Sequence, residues 1–574
     1  MSGRRSVDPD DLARHQRRFL RFPTGRTFRR PPVFYRPAPF IARAVLQLSD
    51  PMQSYDLTVD KFLDHAARWA GAREVVTARS GAASLRIGYA DLRDRANRAS
   101  GALLALGMRP GDRVATLAWN TQHHFELYYA AMGIGLVCHT LNPRLTAEQL
   151  AVMINEAADR ILAAPANLLP LIEQLLPHCP TIEHLVWIDG SPPAAKTAIV
   201  PEWGFERLLA TMGQGTVWGA FAETAPAGLC YTSGTTGRPK GVLYTHRSNY
   251  LHTLRALQAD AFAITAQDSL LIAVPMFHAN GWGLPFAAPA AGAKVVLPGR
   301  QADGASLSQL MRDEQVTIAV GVQTVWLGVV EHLERTGSTL PDLERVIVGG
   351  SDCPEGLVRR LEAGLGAKVQ TSWGMTELSP LGVTAPPGGE PNPSAGRLLM
   401  GLDVKLTDAD GVALARQHDA VGHLKVKGAS VLDRYFGMTE DALDEEGFFD
   451  TGDLASIDTA GNLTIRGRSK DLIKSGGEWI NPAEIEAIIG REPLVGQVAV
   501  IARADGKWGE RPVLVVEPRP GATLHDEDLI AALRGKIADW WLPDDIVRIA
   551  AMPLAPTGKI DKLGLRAAYA AGTI

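Results

Sequence analysis

From about residue 55 to residue 400 the chain alternates short β-branched runs with helical segments: SLLIAVPMF, AKVVLPG, LSQLMRDE, VTIAVGV and RVIVGG follow one another in this way. Strands that read as apolar runs are buried on both faces, and strands separated by helices pair in parallel. The pattern therefore admits mainly parallel sheets with helices on both sides. Thr146 and Gln149 in LTAEQL have the spacing of a capping box and open one of these helices. From about residue 420 the chain changes to short strands with tight turns. In LASIDTAGNLTIRGR the segment DTAG reads as a hairpin loop, a helix is expected from Pro482 in NPAEIEAIIG, and VGQVAVIARAD follows as a strand. The expected fold is α/β, with a large domain over 45–469 and a small α+β domain over 470–574. Residues 1–44, an Arg- and Pro-rich arm, stand apart and are expected to be a surface segment without catalytic role, with a targeting segment or a subunit-contact arm as alternatives.

A chain of 574 residues with 46% hydrophobic and 21% charged residues has room for a large core and more than one domain. A formal net charge of -5 gives no field for nucleic acid, so any anionic ligand must meet local cations. Cys138, Cys179, Cys230 and Cys353 show no CxxC spacing, which argues against a disulfide framework or structural zinc and fits a reducing cytoplasm. No apolar run approaches the ~20 residues that span a bilayer, and no secretory segment opens the chain, so no membrane span is expected.

The segment carrying most chemistry is YTSGTTGRPKG, Tyr231 to Gly241. Gly234 and Gly237 permit a tight loop whose N–H groups can face a phosphate; Thr232, Ser233, Thr235 and Thr236 add hydroxyls, and Lys240 adds charge. It is not a Walker A loop, because G-x-x-x-x-G-K-[ST] is absent. A solvated Ser/Thr/Gly linker is the alternative for such a segment alone.

The segment resembles the phosphate-binding signature of the superfamily of acyl-CoA synthetases, peptide-synthetase adenylation domains and luciferases. TSWGMTE at Thr371–Glu377 is similar to its adenine and magnesium motif, and TGD at Thr451–Asp453 to its ribose motif. GRSKDLIKSGGEW at Gly467–Trp479 resembles the hinge segment, and PTGKIDK at Pro556–Lys562 the C-terminal lysine motif. The resemblance spans roughly residues 50 to 570. It implies a large adenylate-forming domain with a small mobile C-terminal domain, and ATP, CoA and a carboxylic acid as substrates.

The resemblance also implies roles. Glu377, with Thr232, would hold Mg²⁺, which suits hard oxygen donors. Trp373 would stand beside the adenine, with the backbone at Gly350 opposite and Thr371, Ser372 and Thr376 nearby. Asp453 would accept from the ribose hydroxyls, and Arg468 would contact ribose or phosphate. Lys470 sits at the hinge position. Lys474 and Trp479 resemble nucleotide contacts, and Ser475, Gly476 and Gly477 would line the CoA arm. Lys559 is the expected catalytic cation of adenylation, with Glu377 and Thr235 as its company.

PMFHANGWG at Pro275–Gly283 resembles the acyl-pocket wall of acyl-CoA synthetases. His278 and Trp282, four residues apart, are expected on one helical face at the carboxylate entrance, with Gln323 to Trp326 as another wall. No cation for a second carboxylate and no Asp for an amino group is evident, which favours an uncharged aliphatic acid. The HANGWG and SGGEW segments resemble those of medium- and long-chain fatty acyl-CoA synthetases and 3-methylthiopropionate-CoA ligases, which implies a medium- or long-chain fatty acid, with 3-methylthiopropionate as alternative. A fatty acyl-AMP ligase loading a carrier protein in trans and a luciferase-like oxygenase are rivals; no carrier domain follows Lys559, and Gly572, Thr573 and Ile574 carry no peroxisomal signal. A cytoplasmic location is expected, and the resemblance admits a homodimer.

Overall fold

The apolar runs become buried parallel strands. In one sheet the order is Glu202–Gly204, His184–Ile188, Ile161–Pro165, Arg113–Leu117, Val137–Leu141, Pro226–Thr232 and Lys240–Thr245, parallel except for the last two, which form a hairpin. Ile161 and Ala163 point into one core and Leu162 and Ala164 into another, so both faces are covered. That is why the strand shows no polar alternation. The computed structural model describes residues 52–574 apart from 190–191, 194–196, 198, 233–238, 351–352, 354, 390–393, 477 and 556–558, and Asp56–Ile574 form one compact unit. The arm at 1–44 lies outside the described residues.

A second sheet has 13 strands. Glu74–Arg79, Lys294–Leu297, Ser269–Ile272, Ile318–Gly321, Arg345–Val348 and Lys368–Gly374 are parallel, with Ala82–Gly88 as an antiparallel edge. Beyond Lys368–Gly374 the sheet turns antiparallel through Leu381–Thr384, Gly396–Leu398, Asn462–Arg468, Phe449–Ile457, Val421–Gly428 and Leu402–Thr407. The DTAG segment joins two of these strands, with Gly461 at φ 80° supplying the left-handed turn. Thr146 and Gln149 form the reciprocal capping box at the start of helix Ala147–Ala157.

The small domain is built on the ribbon Val495–Asp505 and Gly509–Pro518; along the other edge of Gly509–Pro518 pair the hairpin Ile473–Ser475/Glu478–Ile480, at Gly509, and the parallel strand Asp545–Arg548, at Val513–Val516. Alternate residues serve two small cores: Val500, Leu514 and Val516 pack with Ile485, Ile489 and Leu529, whereas Ala499, Ile501, Val513 and Val515 pack with Met552 and Leu565. Helix Pro482–Ile489 starts where the sequence indicates, capped by Asn481. No helix among the described residues is long and apolar enough to cross a membrane.

Candidate active site

The parallel strands of both large sheets end at the loops that carry the expected site residues. Open α/β sheets bind ligands outside these carboxyl ends. Thr232 closes Pro226–Thr232 and pairs with Lys240 across the hairpin; Gly350 follows Arg345–Val348, and the TSWGMTE segment closes Lys368–Gly374. Ser233, Gly234, Thr235, Thr236 and Gly237 lie outside the described residues. Several hydroxyls of the adenine motif are already engaged. Thr371 Oγ1 donates to the Ser394 carbonyl at 3.0 Å and Ser372 Oγ to the Val348 carbonyl at 3.0 Å, while the Thr376 carbonyl accepts from Tyr244 at 2.8 Å.

Asp453 and Arg468 are direct cross-strand partners. Asp453 is 2% exposed; its Oδ1 accepts from Arg468 Nε at 2.8 Å and its Oδ2 from Trp373 Nε1 at 2.9 Å. Burial pushes the Asp453 pKa up, and the Arg468 charge and the indole N–H oppose it. Trp373 lies close over Gly382, where a Cβ would come within 2.5 Å of the ring.

Glu377 is 8% exposed in the turn Thr376–Leu378. Tyr435 donates its hydroxyl to Glu377 Oε1 at 2.8 Å, and Lys240 Nζ stands 4.8 Å from the centre of the Tyr435 ring. Burial raises the Glu377 pKa, opposed by Tyr435 and by the Arg468 and Lys240 charges. Sequence reasoning missed Tyr435, since an aromatic residue in DRYFG carries no chemical signature until the fold lays it on Glu377.

Lys559 enters from the small domain. Its side chain is exposed to solvent. Partial desolvation by the nearby protein, followed by the Arg468 and Lys470 charges, draws its pKa down to about 8 against the pull of Asp453 and Glu377. His278 is held neutral at about 4 by burial, then by Lys559 and Arg144. Lys559 thus feels the Asp453 and Glu377 carboxylates and acts on His278. Arg144, also missed, lies over Trp119 and Phe277 at 5.5 and 5.9 Å. A cation, exposed to solvent, therefore does stand near enough to His278 to act on it.

The one-helical-face expectation for His278 and Trp282 is overturned. His278 is extended, and Ala279, Asn280, Gly281, Trp282 and Gly283 all adopt positive φ, from 36° to 70°. Non-glycine residues in that region cost ~1–3 kcal/mol each and persist only where surroundings fix them. Here Asn280 supplies the anchor: its N–H donates to Cys230 Sγ at 3.3 Å, and its side chain fits against Gly228, where a Cβ would lie 2.4 Å away. The bend brings Trp282 against Gly349 and Gly350. Gln323 opens helix Gln323–Thr336, with its side-chain oxygen buried and unbonded among the described residues. Trp326 is fully buried in the core.

Lys470 occupies the short turn Ser469–Asp471 between the domains, and Asp471 binds Arg566 of the last helix at 3.0 Å. Lys474 lies over Trp479 at 5.5 Å on a hairpin where Trp479 is 52% exposed; they pack on each other rather than on the Asp453–Arg468 pair. Ser475 is buried and accepts from Arg511 at 3.3 Å. Gly476 lies under Trp508, whose ring a Cβ would approach to 2.9 Å, so its smallness already serves Trp508. Gly477 lies outside the described residues.

A cavity of about 1270 Å³ is lined by Trp119, His123, Asp189, Trp203 and Glu206 among others. Lys559, Asp453 and Glu377 do not line it, whereas opposed charges meet at those three residues. His123 bonds to Asp189 at 2.8 Å and Glu206 at 3.2 Å, so the cavity's polar groups are largely engaged with one another.

The profile of the AMP-binding enzyme family matches residues 62–436, and that of the AMP-binding enzyme C-terminal domain matches residues 484–559. The chain is 40% identical over 526 residues to 3-methylmercaptopropionyl-CoA ligase of Ruegeria pomeroyi, covering 90% of this chain and 98% of the relative. It is 39% identical over 532 residues to a long-chain-fatty-acid–CoA ligase of Thermus thermophilus, covering 90% and 96%. ATP-bound MatB from Rhodopseudomonas palustris matches with a TM-score of 0.80 at 27% identity, over 90% of this chain and 99% of that one.

Proposed function

Because this chain belongs to the AMP-binding enzyme family and is an ATP-dependent acid–thiol ligase that makes a CoA thioester through an acyl-adenylate, we propose that its acid is a medium- or long-chain fatty acid. The second reading is 3-methylthiopropionate, favoured by the identity to the Ruegeria pomeroyi ligase. The acid side supports an uncharged chain: His278 is neutral, and Trp282 and Val322 close the wall at Gly350. Arg144 is spent on two aromatic faces.

What supports this mechanism is that the Lys559 charge acts on His278, Asp453 and Glu377 alike, residues that would belong to the acid and nucleotide sides. Bringing a carboxylate to the α-phosphate sets two anions against each other, and one ammonium between them offsets that repulsion and the charge that develops. Asp453 would hold the ribose hydroxyls, with Arg468 and the Trp373 indole fixing its carboxylate. Thr232, Ser233, Gly234, Thr235, Thr236, Gly237 and Lys240 would cradle the phosphates.

Glu377 fits Mg²⁺: it is an oxygen donor, and among the described residues no group of three or more His, Cys, Asp or Glu forms a complete cage. An ion that keeps water and substrate phosphates in its shell needs only one or two protein ligands, here Glu377 and Thr232. Bound there, Mg²⁺ neutralises phosphate charge.

For thioester formation the small domain would rotate about Lys470, within boundaries 45–469 and 470–574, and carry Lys559 away. Ser475, Gly476 and Gly477 would then approach the CoA arm, and Lys474 and Trp479 would reach the nucleotide. A cytoplasmic homodimer completes the proposal, and sedimentation of the purified chain tests the dimer. Pyrophosphate release over a panel of acids, with and without CoA, tests the substrate. A fatty-acid preference rising with chain length supports the first reading, and selective turnover of 3-methylthiopropionate replaces it with the second.

A further inference from the structure

Segment 430–437 runs beside two parts of the site and is bonded to both. The Leu432 N–H donates to the Glu377 carbonyl at 2.7 Å, and the Phe436 N–H donates to the Gly241 carbonyl at 2.8 Å. Between these ties, Tyr435 Oη donates to Glu377 Oε1 at 2.8 Å while Lys240 Nζ stands over its ring at 4.8 Å. Tyr244, on the same strand as Lys240, closes the group by donating to the Thr376 carbonyl at 2.8 Å. Three segments distant in sequence are thereby fixed to one another, and Tyr435 is the side chain that touches both charged groups.

We propose that Tyr435 is a positioning residue for adenylation, acting through Glu377 and Lys240. Its hydroxyl occupies one carboxylate oxygen of Glu377 and so fixes the orientation of that carboxylate; hydrogen bonds to an ionised acceptor are the strong kind. The second oxygen is left to the metal–phosphate group. Its ring face restrains the Lys240 ammonium, which a long flexible side chain otherwise samples widely. One side chain thus sets two opposite charges in register, an arrangement with a value only when a charged ligand bridges them. This inference rests on the reading of Glu377 as the metal-facing carboxylate.

The test is calorimetric titration of ATP into the full chain, once with Mg²⁺ and once with EDTA, for the wild type, Tyr435→Phe, Tyr435→Leu and Glu377→Gln. Tyr435→Phe keeps the ring and loses the hydroxyl, so binding in Mg²⁺ should weaken about tenfold, as expected for one hydrogen bond to a charged group, and binding in EDTA should not change. Tyr435→Leu should weaken both, because Lys240 loses its platform. Conversion of a prepared acyl-adenylate and CoA to the thioester should remain at the wild-type rate in Tyr435→Phe. If Glu377→Gln abolishes the Mg²⁺ dependence while Tyr435→Phe binds as the wild type does, the inference is overturned and the reading of Glu377 stands. If Glu377→Gln keeps the Mg²⁺ dependence, the reading of Glu377 falls and takes the inference with it. Equal weakening of Tyr435→Phe in both conditions, with a lowered Tm, would mark Tyr435 as a packing residue and end the proposal.

Discussion

The two domains contribute to the cluster in opposite ways. On the large domain each charge is already answered: Asp453 by Arg468 and Trp373, Glu377 by Tyr435. The small domain contributes Lys559, which forms no ion pair among the described residues and whose charge is disfavoured by its surroundings. The large domain therefore holds a preorganised template, built from cross-strand pairs that a stiff sheet keeps in place. Lys559 is exposed to solvent, and partial desolvation and its neighbouring cations outweigh the pull of Asp453 and Glu377 on its charge. The proposed role asks this charge to meet the reacting anions and then to leave.

The sharpest way to break this contrast is Lys559→Ala. Loss of one preorganised positive group typically costs ~10² to 10³ in rate, so acyl-adenylate formation should nearly vanish. Conversion of a prepared acyl-adenylate and CoA to the thioester should continue at close to the wild-type rate. Lys470→Pro fixes a backbone torsion at the proposed pivot and should give the reverse pattern. Equal impairment of both half-reactions by Lys559→Ala would mean that the domains do not alternate.

Asp453→Asn probes the template side. It keeps the shape but removes the charge that answers Arg468, and ATP affinity should fall roughly 10- to 100-fold, as for hydrogen bonds to charged groups. The melting temperature should change little by comparison. Unchanged ATP affinity would separate Asp453 from the nucleotide.

The contrast also has a pH signature. Lys559 is the acid form below its pKa and loses its proton as pH rises through about 8. Adenylation should be at its plateau below that pH and about tenfold lower one unit above it, since only about a tenth of the group remains charged. Thioester formation from prepared acyl-adenylate should lack this decline. Lys559→Arg, which stays protonated, should flatten the adenylation profile whatever its absolute rate.

Smaller effects are expected at the periphery. Trp282→Ala should change acid affinity or chain-length preference several-fold with little change for ATP; a fall in ATP affinity alone would move Trp282 to the nucleotide side. Deletion of residues 1–44 should leave turnover within about a factor of ten, a barrier change below ~1.4 kcal/mol. A folded but inactive truncation would bring the arm into the catalytic unit.

The architecture was legible because burial on both faces leaves a direct trace. Ile161–Pro165 and Ile318–Gly321 are apolar without alternation for that reason, and Thr146 with Gln149 capped the helix where their spacing indicated. The candidate site was legible where a motif gathers polar residues in a few consecutive positions, as in TSWGMTE and TGD, whose Trp373 and Asp453 the fold brings into contact. The HANGWG segment was misjudged because four-residue spacing implies a shared face only if the backbone is a right-handed helix. Whether Asn280 is held left-handed depends on Cys230 and Gly228, residues some fifty positions away.

The sequence by itself determined the parallel α/β plan, the two-part division and the identity of the charged groups Asp453, Glu377, Arg468 and Lys559. These follow from local pattern and from chemistry that only certain side chains can perform. The tertiary structure alone decided which neighbours tune them: Tyr435 on Glu377, Trp373 on Asp453, Arg144 beside His278, and the left-handed turn that brings Trp282 to Gly350. Hydrogen bonds and charge interactions act over a few ångströms in space, so partners separated by tens to hundreds of residues become visible only once the chain has folded.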